Sequence, residues 1–235
     1  MALILCLETS SKNCSVAISK NGENFLLKEN FDDNYCHGEQ LHVLIQELLI
    51  DASISINDFD AFALSAGPGS YTGLRIGASA VKGFSFAVDK PIIAISTLKS
   101  MASALINFQF NTLQKYNYFC PTLDSRRGEV YLGIYDKKNN EHLSPCACEI
   151  QTFPFEQYLD NNRICFFGPG IVKLQSPVSH KNADYLNQDY PSAQNLCQLA
   201  EQKFKNKDFV DSAYFEPMYL KKFIPTKSKK GIISK

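Results

Sequence analysis

The feature that most constrains the fold is a glycine-rich turn that runs directly into a helix of small residues, SAGPGSYTGLRIGASAVK at residues 65–82. The apolar run Phe59–Leu64 precedes it and predicts a buried strand, so the predicted order is strand, glycine turn, helix. Gly67 and Gly69 permit backbone angles that other residues avoid, and the free N–H groups at the start of a helix suit an anion. A Walker phosphate loop requires Lys and Ser or Thr directly after its last glycine. Here Gly73 is followed by leucine and arginine, so the sequence has the shape of a phosphate loop without its lysine.

Composition excludes several classes of protein. The chain of 235 residues is 45% hydrophobic and 20% charged, and its formal net charge is zero, so no overall field draws it to nucleic acid or to a membrane. No apolar stretch is long enough to span a bilayer, and the first residues lack the basic leader and cleavage site of a signal peptide. There are eight cysteines but no Cys-x-x-Cys pair. We therefore expect reduced thiols, no membrane segment and a cytoplasmic location.

The spacing of apolar residues predicts two α/β halves. In the first half, the predicted strands are Leu3–Leu7, Cys14–Ser19, Asn24–Glu29, Phe59–Leu64 and Pro91–Ile95, and the predicted helices are Leu41–Leu49, Thr72–Val88 and Thr97 to about Phe108. In the second half, the predicted strands are Phe119–Leu123, Glu129–Tyr135, Cys146–Gln151 and Ile164–Phe167, and the predicted helices are Phe155–Leu159 and about 192–205. The polar stretch at 107–118 separates them, which predicts lobes at residues 1–108 and 109–235.

Three turns that follow predicted strands carry Ser10, Asp124 and Gly168. Ligands of sheet proteins commonly bind at such turns, and an actin-like kinase or ATPase would use them to hold phosphates and adenosine. Glu8, however, stands where an aspartate is usual, and two arginines occupy the second turn, where glycines would admit phosphate. Ordinary turns kept for packing would have the same sequence, so both interpretations stay open at this point.

Neither a metal site nor a nucleophile is predicted. His37 and His42 are five residues apart, which places them about 140° apart on a helix, so they cannot face one ion together; we expect solvent-facing or capping roles for both. Ser79 and Ser96 each precede a lysine by three residues, but the other motifs of penicillin-recognising enzymes do not accompany them.

Small residues recur along one stripe of the helix that follows the glycine turn. Because glycine inside a helix costs about 1 kcal/mol relative to alanine, several together require a compensating close approach of another helix. That helix could belong to a partner or to the chain itself, and both explanations stay open. The predicted pairing surface consists of Leu41, Leu44 and Leu48 on the first helix and Gly73, Gly77, Ala80 and Gly83 on the second.

Four segments together resemble one known family. ETSSKNCSVAI at 8–18, AGPGSYTGLRIGASAVKG at 66–83, DSRRGEVYLGIYD at 124–136 and PMYLKKF at 217–223 are similar in order and spacing to the TsaB (YeaZ-type) family. The resemblance covers essentially the whole chain and implies an α/β, actin-like ATPase (ribonuclease H-like) fold with two related lobes of mixed sheets flanked by helices.

The resemblance also implies a function. TsaB-type proteins take part in forming N-threonylcarbamoyladenosine next to the anticodon of tRNAs that read codons beginning with A. It implies a non-catalytic subunit without a cofactor, which binds a TsaD-type transferase, and a TsaE-type ATPase that joins through the complex. The apolar pairing face could also pair two copies of the free chain, and the sequence leaves homodimer and monomer open. The catalytic relative holds a metal with a His-x-x-x-His pair, where this chain has Thr97 and Met101, so the resemblance implies no metal.

Two further possibilities remain open from the sequence. The alternative function is an actin-like nucleotide-binding kinase or ATPase that uses Ser10, Asp124 and Gly168. The tail from Lys221 carries six lysines and no acid; it could contact tRNA phosphates or be a solvated terminus, and we expect tRNA contact to be indirect.

Overall fold

The computed structural model describes residues 2–33, 36–108, 113–125, 128–187 and 190–221. Its first sheet combines an antiparallel meander with three parallel strands. The strands are β1 (Leu3–Glu8), β2 (Asn13–Lys20), β3 (Glu23–Phe31), β4 (Ala61–Ser65) and β5 (Ile92–Ile95). They lie in the order β3-β2-β1-β4-β5, with β4 and β5 parallel to β1 and with β2 antiparallel to both its neighbours. Two helices, α1 (His37–Ala52) and α2 (Tyr71–Val88), pack against this sheet.

The second sheet repeats this topology. Its strands are β6 (Tyr118–Asp124), β7 (Glu129–Tyr135), β8 (Glu141–Glu149), β9 (Ile164–Phe167) and β10 (Ala183–Leu186). They lie in the order β10-β9-β6-β7-β8, with β9 and β10 parallel to β6 and with β7 antiparallel. Each sheet thus has one meander of three strands extended by two parallel strands, and the predicted α/β class with two related lobes is confirmed.

The remaining α-helices are α3 (Thr97–Phe108), α4 (Phe155–Leu159), α5 (Ile171–Leu174) and α6 (Cys197–Lys205). Of these, α3 and α6 connect the two lobes, whereas α4 and α5 pack within the second lobe. The side chains of α3 pack with Phe119 of the second sheet, whereas those of α6 pack with Ile4 and Ile93 of the first. Each half therefore contributes a helix to the other half's sheet, and the division at residue 108 stays a prediction. Within the described part of the chain, no helix combines the length and apolar character needed to cross a membrane.

Side-chain chemistry sets the ends of α2. The hydroxyl of Ser70 accepts a hydrogen bond from the N–H of Gly73 at 3.3 Å, which satisfies one free donor of the first turn. At the other end, Asp89 adopts the left-handed conformation with φ 51°, a common helix stop. The helix therefore spans one residue more than the predicted Thr72–Val88.

All the predicted strands and helices are present, with differences at short or edge segments. β8 begins at Glu141 rather than Cys146 and continues through Pro145, which an edge strand tolerates because part of its backbone needs no partner. The sequence prediction missed β10 and α5, which have four residues each. Segments this short carry no periodic signal.

Candidate functional site

The turn after β1, the first candidate phosphate site, is closed by the chain's own backbone. The N–H of Ser70 donates to the carbonyl of Ser10 at 2.6 Å. A Cβ atom added to Gly69 would overlap that carbonyl, and one added to Gly73 would overlap the carbonyl of Thr9. These glycines therefore allow α2 to begin in direct contact with the turn, and the contact occupies the place where a phosphate would need to approach.

The same turn buries a carboxylate. Glu8 is fully buried, and its Oε1 accepts a hydrogen bond from the N–H of Ser10 at 2.6 Å, whereas Oε2 has no hydrogen-bond partner. Loss of water around the carboxylate raises the pKa of Glu8, and the hydrogen bonds at the turn oppose this only in part. A carboxylate in this position is poorly placed to hold a solvated cation.

The candidate turns of the second lobe are held by internal contacts as well. Asp124 Oδ1 pairs with Lys173 Nζ at 2.5 Å, and Lys173 also donates to the carbonyl of Ser125. Gly168 has φ 91°, and a Cβ atom there would lie 2.5 Å from the carbonyl oxygen of Thr122 and 2.6 Å from Met101 Cε. Asp124 and Gly168 thus follow strands, as predicted, and these strands are neighbours in the second sheet; an ion pair engages Asp124 and close packing requires Gly168. Arg126 and Arg127 lie outside the described residues.

Thr97 and Met101 stand where the catalytic relative has its metal-binding histidines, and both are buried in contact with neighbouring residues. The hydroxyl groups of Thr97 and Ser65 are 2.5 Å apart and hydrogen-bonded, and Met101 packs against Gly168. Over the described ranges, no three His, Cys, Asp or Glu side chains come together in a way that could hold a metal ion. A hydroxyl and a thioether do not provide the imidazole ligands that iron or zinc would require there.

Of the two histidines of α1, His37 differs from the expectation and His42 agrees with it. His37 is buried, with its Nε2 2.7 Å from the carbonyl oxygen of Ser11 and its ring against Gly73. The prediction of a solvent-facing or capping role is therefore wrong for His37, whose ring fills the space left by that glycine. Burial lowers its pKa, and the contact with Ser11 opposes the shift. His42 is exposed, as predicted, and its ring approaches that of Phe84 edge-on at 6.1 Å.

The structure separates the predicted pairing residues into two groups. Leu41, Leu44 and Leu48 are buried in the core of the first lobe, so they hold α1 on its sheet and are not accessible to a partner. Gly73 and Gly77 both face Thr9, so internal packing explains this part of the stripe. Gly83, in contrast, is exposed in an open groove between α1 and α2, and a Cβ atom on it would meet nothing within 4 Å; Ala80 lines the same groove but is itself largely buried.

This helix groove has a volume of about 630 Å³. Its walls combine apolar, small and polar side chains, and Arg75 is the one charged residue among them. The residues that line the helix groove are Gly38 and His42 from α1 and Tyr71, Thr72, Arg75, Ile76, Ser79, Ala80, Gly83 and Phe84 from α2.

The segment near the end of the described chain lies along α2. The N–H of Met218 donates to the carbonyl of Ala66 at 2.7 Å, and Lys82 Nζ donates to the carbonyl of Ala213 at 3.2 Å. The ring of Tyr219 then lies 4.8 Å from that of Tyr71, at one end of the helix groove. Part of this segment, from Pro217, belongs to the motifs that carry the family resemblance, but its sequence predicted no contact with α2.

Comparison with known proteins gives a consistent result. The family model "TsaD: tRNA N6-adenosine threonylcarbamoyltransferase" matches residues 34–223. The chain is 28% identical to the tRNA threonylcarbamoyladenosine biosynthesis protein TsaB of Haemophilus influenzae, covering 97% of both chains. It is 25% identical to TsaB of Escherichia coli, covering 97% of this chain and 98% of that one. A tRNA N6-adenosine threonylcarbamoyltransferase of Staphylococcus aureus is 35% identical, but over only 40% of this chain and 32% of its own length.

Solved structures extend the likeness to three dimensions. The structure described as YeaZ from Pseudomonas aeruginosa is 26% identical and superposes with a TM-score of 0.78, covering 94% of this chain and 100% of that one. The predicted actin-like fold of two related lobes is thereby confirmed. The chain belongs to the TsaD family of tRNA N6-adenosine threonylcarbamoyltransferases, and TsaB proteins are among the relatives that match it over 97% of its length.

Proposed function

We propose that this chain is a non-catalytic subunit that binds and activates a TsaD-type transferase, and so takes part in forming N-threonylcarbamoyladenosine beside the anticodon of tRNAs reading codons that begin with A. The relatives that match this chain over 97% of its length are named for threonylcarbamoyladenosine biosynthesis. The relative that is named as the transferase itself shares only 40% of this chain. The accessory role is therefore supported over the whole length and the catalytic one is not.

The proposed binding site for the partner is the helix groove. Ile76 and Phe84 present apolar surface beside the small residues Ala80 and Gly83, and these allow the backbone of an incoming helix to come close. Apolar and aromatic side chains with little charge are typical of the centre of a stable interface. Buried leucines hold α1 and α2 against the sheet, and such packing favours a groove that is formed before a partner binds.

The occupant that we propose is a helix of the TsaD-type transferase. A TsaE-type ATPase would join through that transferase, and the chain alone would self-associate through the same groove, because an open apolar surface favours association. Contact with tRNA would be made chiefly by the partner, since the net charge of this chain is zero. A cytoplasmic location is supported by eight cysteines that are all free thiols.

Two substitutions on one helix test the surface. In Gly83→Arg the new side chain enters the helix groove, whereas in Ala87→Arg it projects from an exposed position outside the groove. We expect Gly83→Arg to weaken binding to the purified TsaD-type transferase of the same host at least tenfold, about 1.4 kcal/mol. Ala87→Arg should bind like the wild type, and neither variant should unfold at a markedly lower temperature than the wild type, because arginine is a good helix former. Native-strength binding by Gly83→Arg would show that the transferase binds elsewhere.

A further inference from the structure

Arg75 is held between two tyrosine rings at one end of the helix groove. Its guanidinium carbon lies 4.3 Å from the ring centroid of Tyr71 and 5.9 Å from that of Tyr219. Arg75 Nε also donates a hydrogen bond to the Tyr219 hydroxyl at 3.3 Å. Stacking and one hydrogen bond together fix the plane of the guanidinium, so less freedom is lost when its remaining N–H groups bind something.

The tyrosine that holds Arg75 is itself fixed by backbone contacts. Its neighbour Met218 donates its N–H to Ala66 at 2.7 Å, and a side chain on Gly67 would lie 2.8 Å from the Met218 carbonyl oxygen. The C-terminal segment is therefore anchored to the glycine turn that precedes α2. This anchoring places Tyr219 independently of the groove's occupant.

The guanidinium has no carboxylate partner of its own. Among the described residues no carboxylate lies within 4 Å of it, and Glu216 is the acid whose charge acts on it through space. Arg75 is exposed and is the one charged residue of the groove walls. An oriented guanidinium on an apolar surface is complementary to a carboxylate, which it binds with two parallel hydrogen bonds.

We infer that Arg75 determines which partner the helix groove accepts, by binding an acidic side chain of the TsaD-type transferase, and that Tyr219 is its positioning residue. This rests on the proposed function, because the occupant is the same. Among the described residues that line its groove, a second copy of the chain offers no carboxylate, and in a two-fold pair the same surface meets itself. Arg75 therefore favours the transferase over self-association.

Two affinities, for the transferase and for a second copy of the chain, distinguish partner selection by Arg75 from a purely structural role. We would measure binding of the purified transferase, and self-association, for the wild type, Arg75→Gln, Arg75→Lys, Tyr219→Phe and the double variant Arg75→Gln/Tyr219→Phe. Lys90→Gln removes a positive charge beyond the far end of α2, outside the groove, and is the matched control. We expect Arg75→Gln to weaken transferase binding at least tenfold and to flatten its salt dependence, with self-association unchanged or stronger.

The tyrosine is tested by a double-mutant cycle. Tyr219→Phe should weaken binding of the transferase in the wild-type background and have no further effect in the Arg75→Gln background. Arg75→Lys should restore part of the affinity, because it keeps the charge but not the planar fork. An equal effect of Tyr219→Phe in both backgrounds would overturn its positioning role.

The inference and the proposed function can fail separately. If Gly83→Arg abolishes binding while Arg75→Gln binds like the wild type, the groove is the interface but Arg75 does not select the partner. Equal losses of transferase binding and self-association in Arg75→Gln would also overturn the selection. If neither Gly83→Arg nor Arg75→Gln affects binding, the proposed surface itself is wrong.

Discussion

At the scale of single residues, internal packing occupies the turn after β1, the first candidate phosphate site. The carbonyl of Ser10 accepts a hydrogen bond from the N–H of Ser70, and this contact leaves no room for a phosphate. Gly69 makes the contact possible because it has no side chain. Glu8 is buried beneath them with one oxygen unpaired. In such a place a carboxylate is costly when charged, because a buried ion needs a full set of partners.

This arrangement predicts how stability depends on pH. The folded state raises the pKa of Glu8, so it favours the protonated form. The stability from Glu8 is therefore fully present below its unfolded pKa of about 4.5 and is lost as the pH rises through the higher folded pKa. Glu8→Gln keeps an acceptor for the Ser10 N–H and cannot ionise. We expect its free energy of unfolding, relative to the wild type, to increase from pH 4.5 to pH 8.

Denaturant unfolding at a series of pH values measures this difference directly. Asp33→Asn, at an exposed carboxylate that pairs with Lys12 on the surface, is a matched control and should show little pH-dependent gain over this range. A difference between Glu8→Gln and the wild type that stays constant with pH would contradict the account of Glu8.

At the scale of elements, α2 uses its glycines for two different purposes. Gly73 and Gly77 lie against Thr9 of the turn after β1, where any side chain would collide. Gly83 faces the open helix groove. One stripe of small residues thus serves internal packing in its first half and an accessible surface in its second.

A pair of alanine substitutions distinguishes the two halves. Gly73→Ala places a methyl group against the backbone of Thr9 and should destabilise the protein by about 1–3 kcal/mol through overpacking. Gly83→Ala meets no atom and should stabilise the protein by about 1 kcal/mol, because alanine is the better helix former. Thermal unfolding of the two variants measures both effects. Effects of the same sign at the two positions would contradict the division of the stripe.

The sequence predicted the elements well because most of them are long and regular in their apolar spacing. It also predicted which residues of α2 share a stripe, since the helical period sets their relative positions. It could not say what faces the stripe, because Thr9 contacts Gly77 only after β1 and β4 have paired. The contact of Arg75 with Tyr219 joins residues 144 positions apart and has no local signature. Burial of Leu41 and its neighbours was equally ambiguous, since an apolar face fits a core or a partner.

At the scale of the whole molecule, the candidate surface is assembled from distant parts of the chain. The second sheet repeats the topology of the first, and α3 and α6 each pack on the sheet of the other half. After α6 the chain returns to the first lobe, where Val210 bridges to Ile92 and the following segment reaches α2. One end of the helix groove is therefore bordered by Tyr219, from near the end of the described chain, so the chain is expected to act as one unit.

The central claim is that the helix groove, and not the strand-end turns, is where this protein acts. Amide hydrogen exchange of the chain, alone and bound to the TsaD-type transferase, tests it most directly. We predict slower exchange in the complex at residues 36–52 and 71–88 and around Tyr219, with the turns at 8–11 and 124–125 unchanged. Slower exchange at those turns, with α1 and α2 unaffected, would contradict the claim.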